Sequence, residues 1–157
     1  MTSENDVQFE YDKSVVGVEF ELGSLEVTAE IIADYCSALS ETNPLYTDEA
    51  AAKAGPYGGV IAPPGLMSAL NFGRGGQDAK VKFGNTSFFA GSRLESFSPI
   101  RPGDTITAKT SVKEVFAKTG RSGTMVFVVR RTDFTNQDDV AVAASEASMV
   151  HREVTSA

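Results

Sequence analysis

The segment Glu41-Thr42-Asn43-Pro44-Leu45-Tyr46 joins two stretches of helical character and sets how they meet. Asn43 precedes a proline, and the proline ring pushes the residue before it out of helical φ/ψ. The turn therefore has a mechanical cause, and it holds a carboxylate and a phenol at a fixed separation. Two polar side chains held in this way make the turn a candidate site for chemistry.

The sequence before this turn predicts a strand over residues 16–27, followed by a helix. Apolar residues alternate in the strand as they do on a half-buried sheet, and Gly23 marks a bend. Thr28 offers a hydroxyl as N-cap of the helix. After the turn, we expect Thr47 to cap a short helix that ends near Gly55.

A second segment with helix-starting residues predicts the abrupt start of another helix. Its sequence is Ile61-Ala62-Pro63-Pro64-Gly65-Leu66-Met67. The two prolines pre-set φ for a first helical turn. The residues that follow, 66–72, are apolar on most sides, which is typical of a buried helix. We therefore expect a helix at the centre of the fold.

The second half of the chain is predicted to form β-strands. Residues 80–99, 105–116, 124–133 and 140–151 are rich in β-branched and aromatic side chains, with turn-forming residues between them. This spacing favours an antiparallel meander. The order of elements predicts an α+β fold in which a curved antiparallel β-sheet wraps around a central helix, in one domain over residues 16–152 after a flexible N-terminal segment, residues 1–15.

Composition narrows the class of protein. The chain has 157 residues, with 14 basic and 21 acidic side chains and a net charge of −7. A nucleic-acid-binding protein needs a basic face that displaces counterions, so this balance argues against one. The apolar runs are too short to span a bilayer, and the acidic N-terminus does not suit a signal peptide. Cys36 is the only cysteine, which excludes an intrachain disulfide and a zinc cluster. We expect a cytoplasmic protein without a metal.

With these motifs the chain resembles the MaoC-like hydratase/dehydratase family, which adopts the hot dog fold. The resemblance runs over residues 16–152. It is carried by the segments 41–46, 48–52 and 61–65, and by Pro99-Ile-Arg-Pro-Gly-Asp104 at the start of a strand. The nearest subgroup is the N-terminal MaoC dehydratase type, which often shows the Asn-Pro-Leu-Tyr sequence of residues 43–46.

The resemblance implies hydration of a trans-2-enoyl thioester, or dehydration of the (R)-3-hydroxyacyl form, without a cofactor. Family members carry Asp and His at the positions of Glu41 and Tyr46, so both members of the expected pair are altered here. Glu41 keeps the charge of a general base, although its longer side chain shifts the reacting oxygen. A phenol with a reference pKa near 10 does not replace imidazole as a base at neutral pH.

The resemblance also implies the site. Gly65 corresponds to the glycine whose N–H points at the thioester carbonyl, so the expected catalytic residues are Glu41, Tyr46 and Gly65. Five further residues are expected to bind substrate: Asn43, Pro64, Leu66, Phe88 and Arg93. A solvated carboxylate at Glu41, a packing role for Tyr46 and core packing of the apolar residues are the structural alternatives.

Four functions stay open at this point. The chain is an active hydratase for an acyl-CoA or acyl-carrier thioester, or a non-catalytic acyl-binding partner of a heteromeric dehydratase. The other two are a hot dog thioesterase in which Glu41 or Glu49 directs water, and a non-enzymatic acyl-binding or assembly protein. The fold generally builds its substrate tunnel between two subunits. We therefore expect a homo-oligomer or a heterodimer with a second MaoC-like subunit.

Overall fold

Five antiparallel strands form one sheet in the computed structural model, which describes residues 7–154. The strands are β1 (Phe20–Val27), β2 (Thr86–Ser96), β3 (Asp104–Gly120), β4 (Gly123–Thr135) and β5 (Ala141–Arg152). Their order across the sheet is β1-β3-β4-β5-β2, so β4 is central and β1 and β2 are the edges. The predicted strands are confirmed. β1 begins later than predicted, because the chain turns at Gly17, whose φ is +77°.

Side-chain alternation gives the sheet two different faces. On β3, the residues Ile106, Ala108, Thr110 and Val112 are almost completely buried, whereas Lys109 and Lys113, which alternate with them, are exposed. The buried face, called here the inner face, packs on the helices. The other, called here the outer face, meets solvent, because successive side chains of a strand point to opposite sides.

The helices come mostly before the second strand. They are α1 (Ala29–Ala38), α2 (Pro44–Thr47), α3 (Glu49–Lys53) and α4 (Leu66–Ala69). The side chain of Thr28 accepts the Ile31 N–H at 3.1 Å, which confirms the predicted N-cap of α1. The cap of α3 is Asp48, whose Oδ1 accepts the Ala51 N–H at 3.0 Å. The prediction of Thr47 was wrong, because that residue still belongs to α2.

The predicted central helix over residues 66–72 is much shorter than expected. α4 has only four residues, and Leu70 at its end is extended, with ψ of 144°. An Asn71 side chain that accepts the Gly73 N–H then holds the chain in a turn. Leu66 and Met67 are nonetheless buried. They join Ile32 and Cys36 of α1 in the main core, so α1 and α4 together fill the inner face.

The segment expected to be flexible is anchored where it is described. The Asp12 N–H donates to the Ala79 carbonyl at 2.7 Å, and the Lys82 N–H donates to the Glu10 carbonyl at 2.8 Å. Val15 is buried in a second apolar cluster with Ala79 and Val112. The other part of this prediction, residues 1–6, lies outside the described residues. Within residues 7–154 no helix is long and apolar enough to cross a bilayer.

Replacing Thr28 with alanine should test the cap of α1, the longest helix. We expect Thr28→Ala to lower the free energy of unfolding by about 1 kcal/mol, because the Ile31 N–H loses its acceptor. Thr28→Ser retains the hydroxyl and should stay close to the wild type. Equilibrium denaturation measures both. Equal losses in the two variants would contradict this role of the hydroxyl.

A cluster of charged side chains lies on the outer face. Glu146 Oε1 accepts Lys113 Nζ at 2.6 Å and Arg131 Nη1 at 3.3 Å, and Arg131 also binds Asp133. The hydrogen bond and the charge of Lys113, followed by those of Arg131, hold the pKa of Glu146 below its ordinary value of 4.5, against the opposing effect of burial. Because this pKa is lower in the folded state, the ionised carboxylate stabilises the fold at pH values above the pKa that Glu146 has in the unfolded chain.

The pH dependence of stability should therefore change in the Glu146→Gln variant. We expect this variant to be less stable than the wild type at pH 7, with the difference shrinking as pH falls below 4.5 through the folded pKa. The exposed Glu114 of β3, which forms no salt bridge among the described residues, provides the control, since Glu114→Gln should change the stability at pH 7 by little. Chemical denaturation between pH 7 and pH 3 measures this. A difference that grows toward low pH would contradict the assignment.

Candidate functional site

The first cavity of interest lies between α1 and the Asn-Pro turn and has a volume of about 430 Å³. We call it the acid cavity, because two carboxylates, Glu41 and Glu49, lie in its lining. The remaining lining residues are mostly small or apolar: Ala29, Ile32, Ala33, Cys36, Ser37, Tyr46, Thr47, Val60 and Pro102. The turn therefore brings an acid to the edge of a space suited to an aliphatic group.

Glu41 is fixed by its own turn. Its N–H donates to the Cys36 carbonyl at 2.8 Å, which closes the end of α1. Its Oε1 accepts the N–H groups of Thr42 at 2.9 Å and Asn43 at 2.8 Å. Within residues 7–154 its second oxygen, Oε2, accepts no hydrogen bond. One carboxylate oxygen thus orients the side chain, and the other is available to a water or substrate.

Tyr46 lies between two cavities. It lines the acid cavity and also a neighbouring space of about 230 Å³, called here the proline cavity, because Pro64 and Pro99 line it. The tyrosine is half-buried and packs against the main core. Its position on α2 is set by Asn43, whose Oδ1 accepts the Leu45 N–H at 3.0 Å. A phenol in the wall of a cavity can donate a hydrogen bond to a ligand there.

Gly65 precedes α4 and is half-buried. Its Cα lies against the hydroxyl of Tyr35, so closely that a methyl group at residue 65 would fall well inside contact distance of that oxygen. Among the described residues, no hydrogen bond occupies the Gly65 N–H. The glycine therefore leaves room for Tyr35, and its amide is free to donate to a ligand.

The structure brings together only part of the predicted site. Glu41 and Tyr46 share the acid cavity, and Tyr46 and Pro64 share the proline cavity. Gly65 adjoins Pro64 but is not in the lining of either cavity. Glu41 and the Gly65 amide therefore do not share one cavity within a single chain, whereas Tyr46 lines both cavities.

The other expected binding residues lie elsewhere. Leu66 is buried in the core, with 1% exposure, and Asn43 serves as the exposed cap of α2. Phe88 and Arg93 lie on the outer face of edge strand β2, because they pair with Val150 and Glu146. Within this chain Phe88 and Arg93 do not reach either cavity, and Arg93 is 3.6 Å from Glu95.

Two residues near the site were not predicted as functional. Tyr35 contacts Gly65, and Cys36 lines the acid cavity. Burial, with a smaller effect of the Glu41 charge, raises the pKa of the Cys36 thiol, so this side chain stays protonated at neutral pH. In the sequence, only the helical spacing of Tyr35 and Cys36 from Ile32 indicated that these two residues face the interior. The same spacing is expected for residues that merely pack in the core.

Comparison with known proteins links these features to relatives. Residues 14–145 match the family described as the FAS1-like dehydratase domain region. A UPF0336 protein of Streptomyces avermitilis is 32% identical over 114 residues, which are 69% of this chain and 76% of that protein.

Two solved structures are also similar. A MaoC-like dehydratase from Rhodospirillum rubrum has 25% identity and a TM-score of 0.67, covering 90% of this chain and 94% of that one. The HadBC (3R-hydroxyacyl-ACP dehydratase) complex of Mycobacterium tuberculosis contains a chain with 17% identity and a TM-score of 0.65, covering 87% of this chain and 96% of that one. The second likeness concerns the fold alone.

Proposed function

Because this chain belongs to the MaoC-like hot dog dehydratase family, we propose that it binds a 2-enoyl or 3-hydroxyacyl thioester and takes part in its hydration or dehydration. Family membership gives the dehydratase type of function. The thioester substrate and the roles of individual residues are our proposal. One observation carries it: the Asn-Pro turn sets Glu41 and Tyr46 at the wall of the same apolar cavity.

The lining of the acid cavity supports an acyl ligand. Ala29, Ile32, Ala33 and Val60 present aliphatic surface, and apolar area removed from water contributes roughly 25 cal/mol per Å². The charged groups are confined to Glu41 and Glu49. Such a cavity, apolar with a few polar groups, is the usual form of a small-molecule site.

The proposed chemistry assigns the general base to Glu41. Its Oε2 takes a proton from water as the water oxygen bonds to Cβ of the enoyl thioester, and the same proton is then delivered to Cα. The Gly65 N–H donates to the thioester oxygen while negative charge develops there. Tyr46 donates a hydrogen bond that holds the water or the new hydroxyl. The net change is addition of one water, and dehydration is the reverse.

We propose that a second hot dog subunit completes the site. Within one chain Glu41 and the Gly65 amide do not share a cavity, so the assembled tunnel has to bring the substrate to both groups. Edge strand β2 ends at the proline cavity, where Ser96 and Phe97 join its lining. Phe89 and Phe97 on this edge segment are 59% and 48% exposed, which favours a protein partner there. A homodimer and a pairing like that of the HadBC complex both fit this arrangement.

A second candidate function is that of a non-catalytic partner subunit. Position 46 has a phenol in place of a base, and Glu41 Oε1 is already engaged by two amides of its own turn. In this case the chain holds the acyl group while another subunit supplies the base. Thioester binding is shared by both candidates, and turnover by the purified chain separates them.

The test is incubation of the purified protein with crotonyl-CoA and with a longer enoyl-CoA. Absorbance of the conjugated thioester and release of free thiol are followed together. Loss of absorbance without thiol supports an active hydratase, and binding without either change supports the partner role. Thiol release would identify a thioesterase and overturn the proposal. Absence of both binding and turnover would also overturn it.

A further inference from the structure

Arg101 is an exposed cation in the loop between β2 and β3. Its backbone N–H donates to Asp104 Oδ2 at 2.8 Å, and the other oxygen of that carboxylate, Oδ1, accepts the Gln137 side-chain amide at 3.0 Å. Asp104 therefore holds the backbone of the loop and does not pair with the guanidinium. Among the described residues the Arg101 guanidinium forms no ion pair, so the fold leaves its charge for another anion.

The Arg101 side chain is nevertheless held in place. Its Nη1 donates to the Tyr57 carbonyl at 2.6 Å, whereas its Nε and Nη2 donate to no residue in the described part of the chain. Because a guanidinium is a rigid planar fork, a bond at one nitrogen also restricts the direction of the others. Arg101 is exposed, so an anion reaches these remaining donors without a change in the fold.

The loop places this charge between the two cavities of the candidate site. Ile100, before Arg101, lines the proline cavity, and Pro102, after it, lines the acid cavity. Tyr57, whose carbonyl holds the guanidinium, also lines the proline cavity and is 39% exposed. The guanidinium therefore lies at the rim, where the walls of the cavities meet solvent.

The rim is close to the amide proposed to bind the thioester oxygen. The Ala62 N–H donates to the Ile100 carbonyl at 2.8 Å, which joins the segment before Gly65 to the loop of Arg101. The three residues from Ala62 to Gly65 span at most about 11 Å. The pantetheine arm between a thioester sulfur and the first phosphate has about as many bonds as four residues of backbone, or about 14 Å when extended. The two lengths are comparable.

The rest of this surface does not favour an anion. Glu41 and Glu49 both line the acid cavity, and the chain has a net charge of −7. Lys53, on the same helix as Glu49, already lies 4.0 Å from that carboxylate. A phosphate near these acids is repelled, and a cation at the rim offsets the repulsion. Arg101 is placed to supply that charge.

We propose that Arg101 binds the phosphate at the end of the pantetheine arm of the thioester substrate. Coenzyme A and an acyl carrier protein both have this phosphate. The inference rests on the proposed function and adds a binding residue for the carrier part of the substrate. Two donors of a guanidinium match two oxygens of a phosphate, and the bonds are strengthened by the opposite charges.

Binding of three saturated thioesters tests the inference without turnover. Butyryl-CoA and butyryl-phosphopantetheine contain the phosphate, and butyryl-pantetheine does not. We expect the wild type to bind the two phosphorylated ligands at least about fivefold more tightly, the size of a strong exposed ion pair. In Arg101→Gln this preference should disappear, with the affinity for butyryl-pantetheine unchanged. Isothermal titration calorimetry measures the affinities, and the wild-type preference should shrink as salt is added.

The two phosphorylated ligands distinguish the carriers. Equal wild-type affinities for them would assign the effect to the arm phosphate alone, which both carriers share. Tighter binding of butyryl-CoA than of butyryl-phosphopantetheine, lost in Arg101→Gln, would show that the nucleotide phosphates also reach Arg101 and would favour coenzyme A. Arg101 binds phosphate in either case.

Arg121→Gln is the matched control, because Arg121 is exposed in the turn at the opposite end of β3. It should leave all three affinities unchanged. Arg101→Lys retains the charge without the fork and should keep part of the preference. Equal wild-type affinity for butyryl-pantetheine and butyryl-phosphopantetheine would overturn the inference, as would an equal loss for all three ligands in Arg101→Gln. If the wild type binds none of them, the proposed function itself fails, so the two failures are distinguishable.

Discussion

Glu41→Gln is expected to abolish hydration of an enoyl-CoA by this protein while leaving thioester binding intact. Glutamine has nearly the same shape, and its side-chain oxygen can still accept the Thr42 and Asn43 amides that orient Glu41. The variant loses only the basic oxygen. Positioned general bases typically contribute about 10²–10⁴-fold in rate, so we expect a loss of at least two orders of magnitude in kcat. Absorbance decay of crotonyl-CoA measures it.

Glu49 provides the matched control, because it is the other carboxylate in the acid cavity. Its Oε2 accepts the Val60 N–H at 3.3 Å, and its Oε1 lies 4.0 Å from Lys53 Nζ. Glu49→Gln should therefore retain activity within about threefold, the size expected for loss of a weak polar contact. If Glu49→Gln loses activity and Glu41→Gln does not, the base has been assigned to the wrong acid.

The second large effect is expected for Gly65→Ala. A methyl group at residue 65 would collide with the hydroxyl of Tyr35, so the Tyr35 side chain or the backbone before α4 would have to move. Because the Tyr35 ring packs against the main core, we expect the backbone to move and to turn the Gly65 N–H away from the developing oxyanion. Loss of one such donor typically costs about 10²–10³-fold in kcat. Steady-state kinetics should show this loss in kcat with a smaller change in KM.

Combining Tyr35→Phe with Gly65→Ala in one chain tests whether the collision with the Tyr35 hydroxyl causes the loss of activity. The ring carbon Cζ lies 3.6 Å from the position of the added methyl group, so removal of the hydroxyl relieves the collision. Tyr35→Phe alone should stay close to wild-type activity, and the double variant should recover most of the activity lost in Gly65→Ala. An inactive double variant would show that the methyl group acts in another way.

Local features of the fold were readable from the sequence because their causes are local. The Thr28 cap and the Asn43-Pro44 turn depend on residues within one helical turn, and both are present. The length of α4 was not predicted, since the apolar side chains of Leu70 and Phe72 pack against the core just as well from an extended chain. Phe72 shows this, because it is 9% exposed outside any helix.

The placement of Phe88 and Arg93 shows a second limit. In a regular strand, residues five apart face opposite sides. The register of β2 shifts between Phe89 and Gly91, so both side chains face outward. A bulge of this kind changes which face a residue occupies. Gly91, an isolated glycine within the strand pattern, is a signal for such a bulge, but it does not tell which residues after it change face.

Part of the candidate site could be predicted from the sequence. The carboxylate and the phenol lie within one turn of the chain, so the sequence already indicated that the two side chains are close to each other. The contact of Tyr35 with Gly65 and the hydrogen bond of Arg101 to the Tyr57 carbonyl join residues 30 or more positions apart. Such contacts depend on how the helices and loops pack on the sheet, and residue spacing does not reveal them.

The central claim is that a thioester binds with its carbonyl at the Gly65 amide and its β-carbon facing Glu41. A crystal structure of the protein with saturated butyryl-CoA tests this most directly, because the ligand cannot react. We predict a hydrogen bond of about 3 Å from the Gly65 N–H to the thioester oxygen, with a Glu41 carboxylate of the same or the partner subunit beside Cβ. A bound ligand whose carbonyl lies away from both groups, in either subunit, would contradict the account.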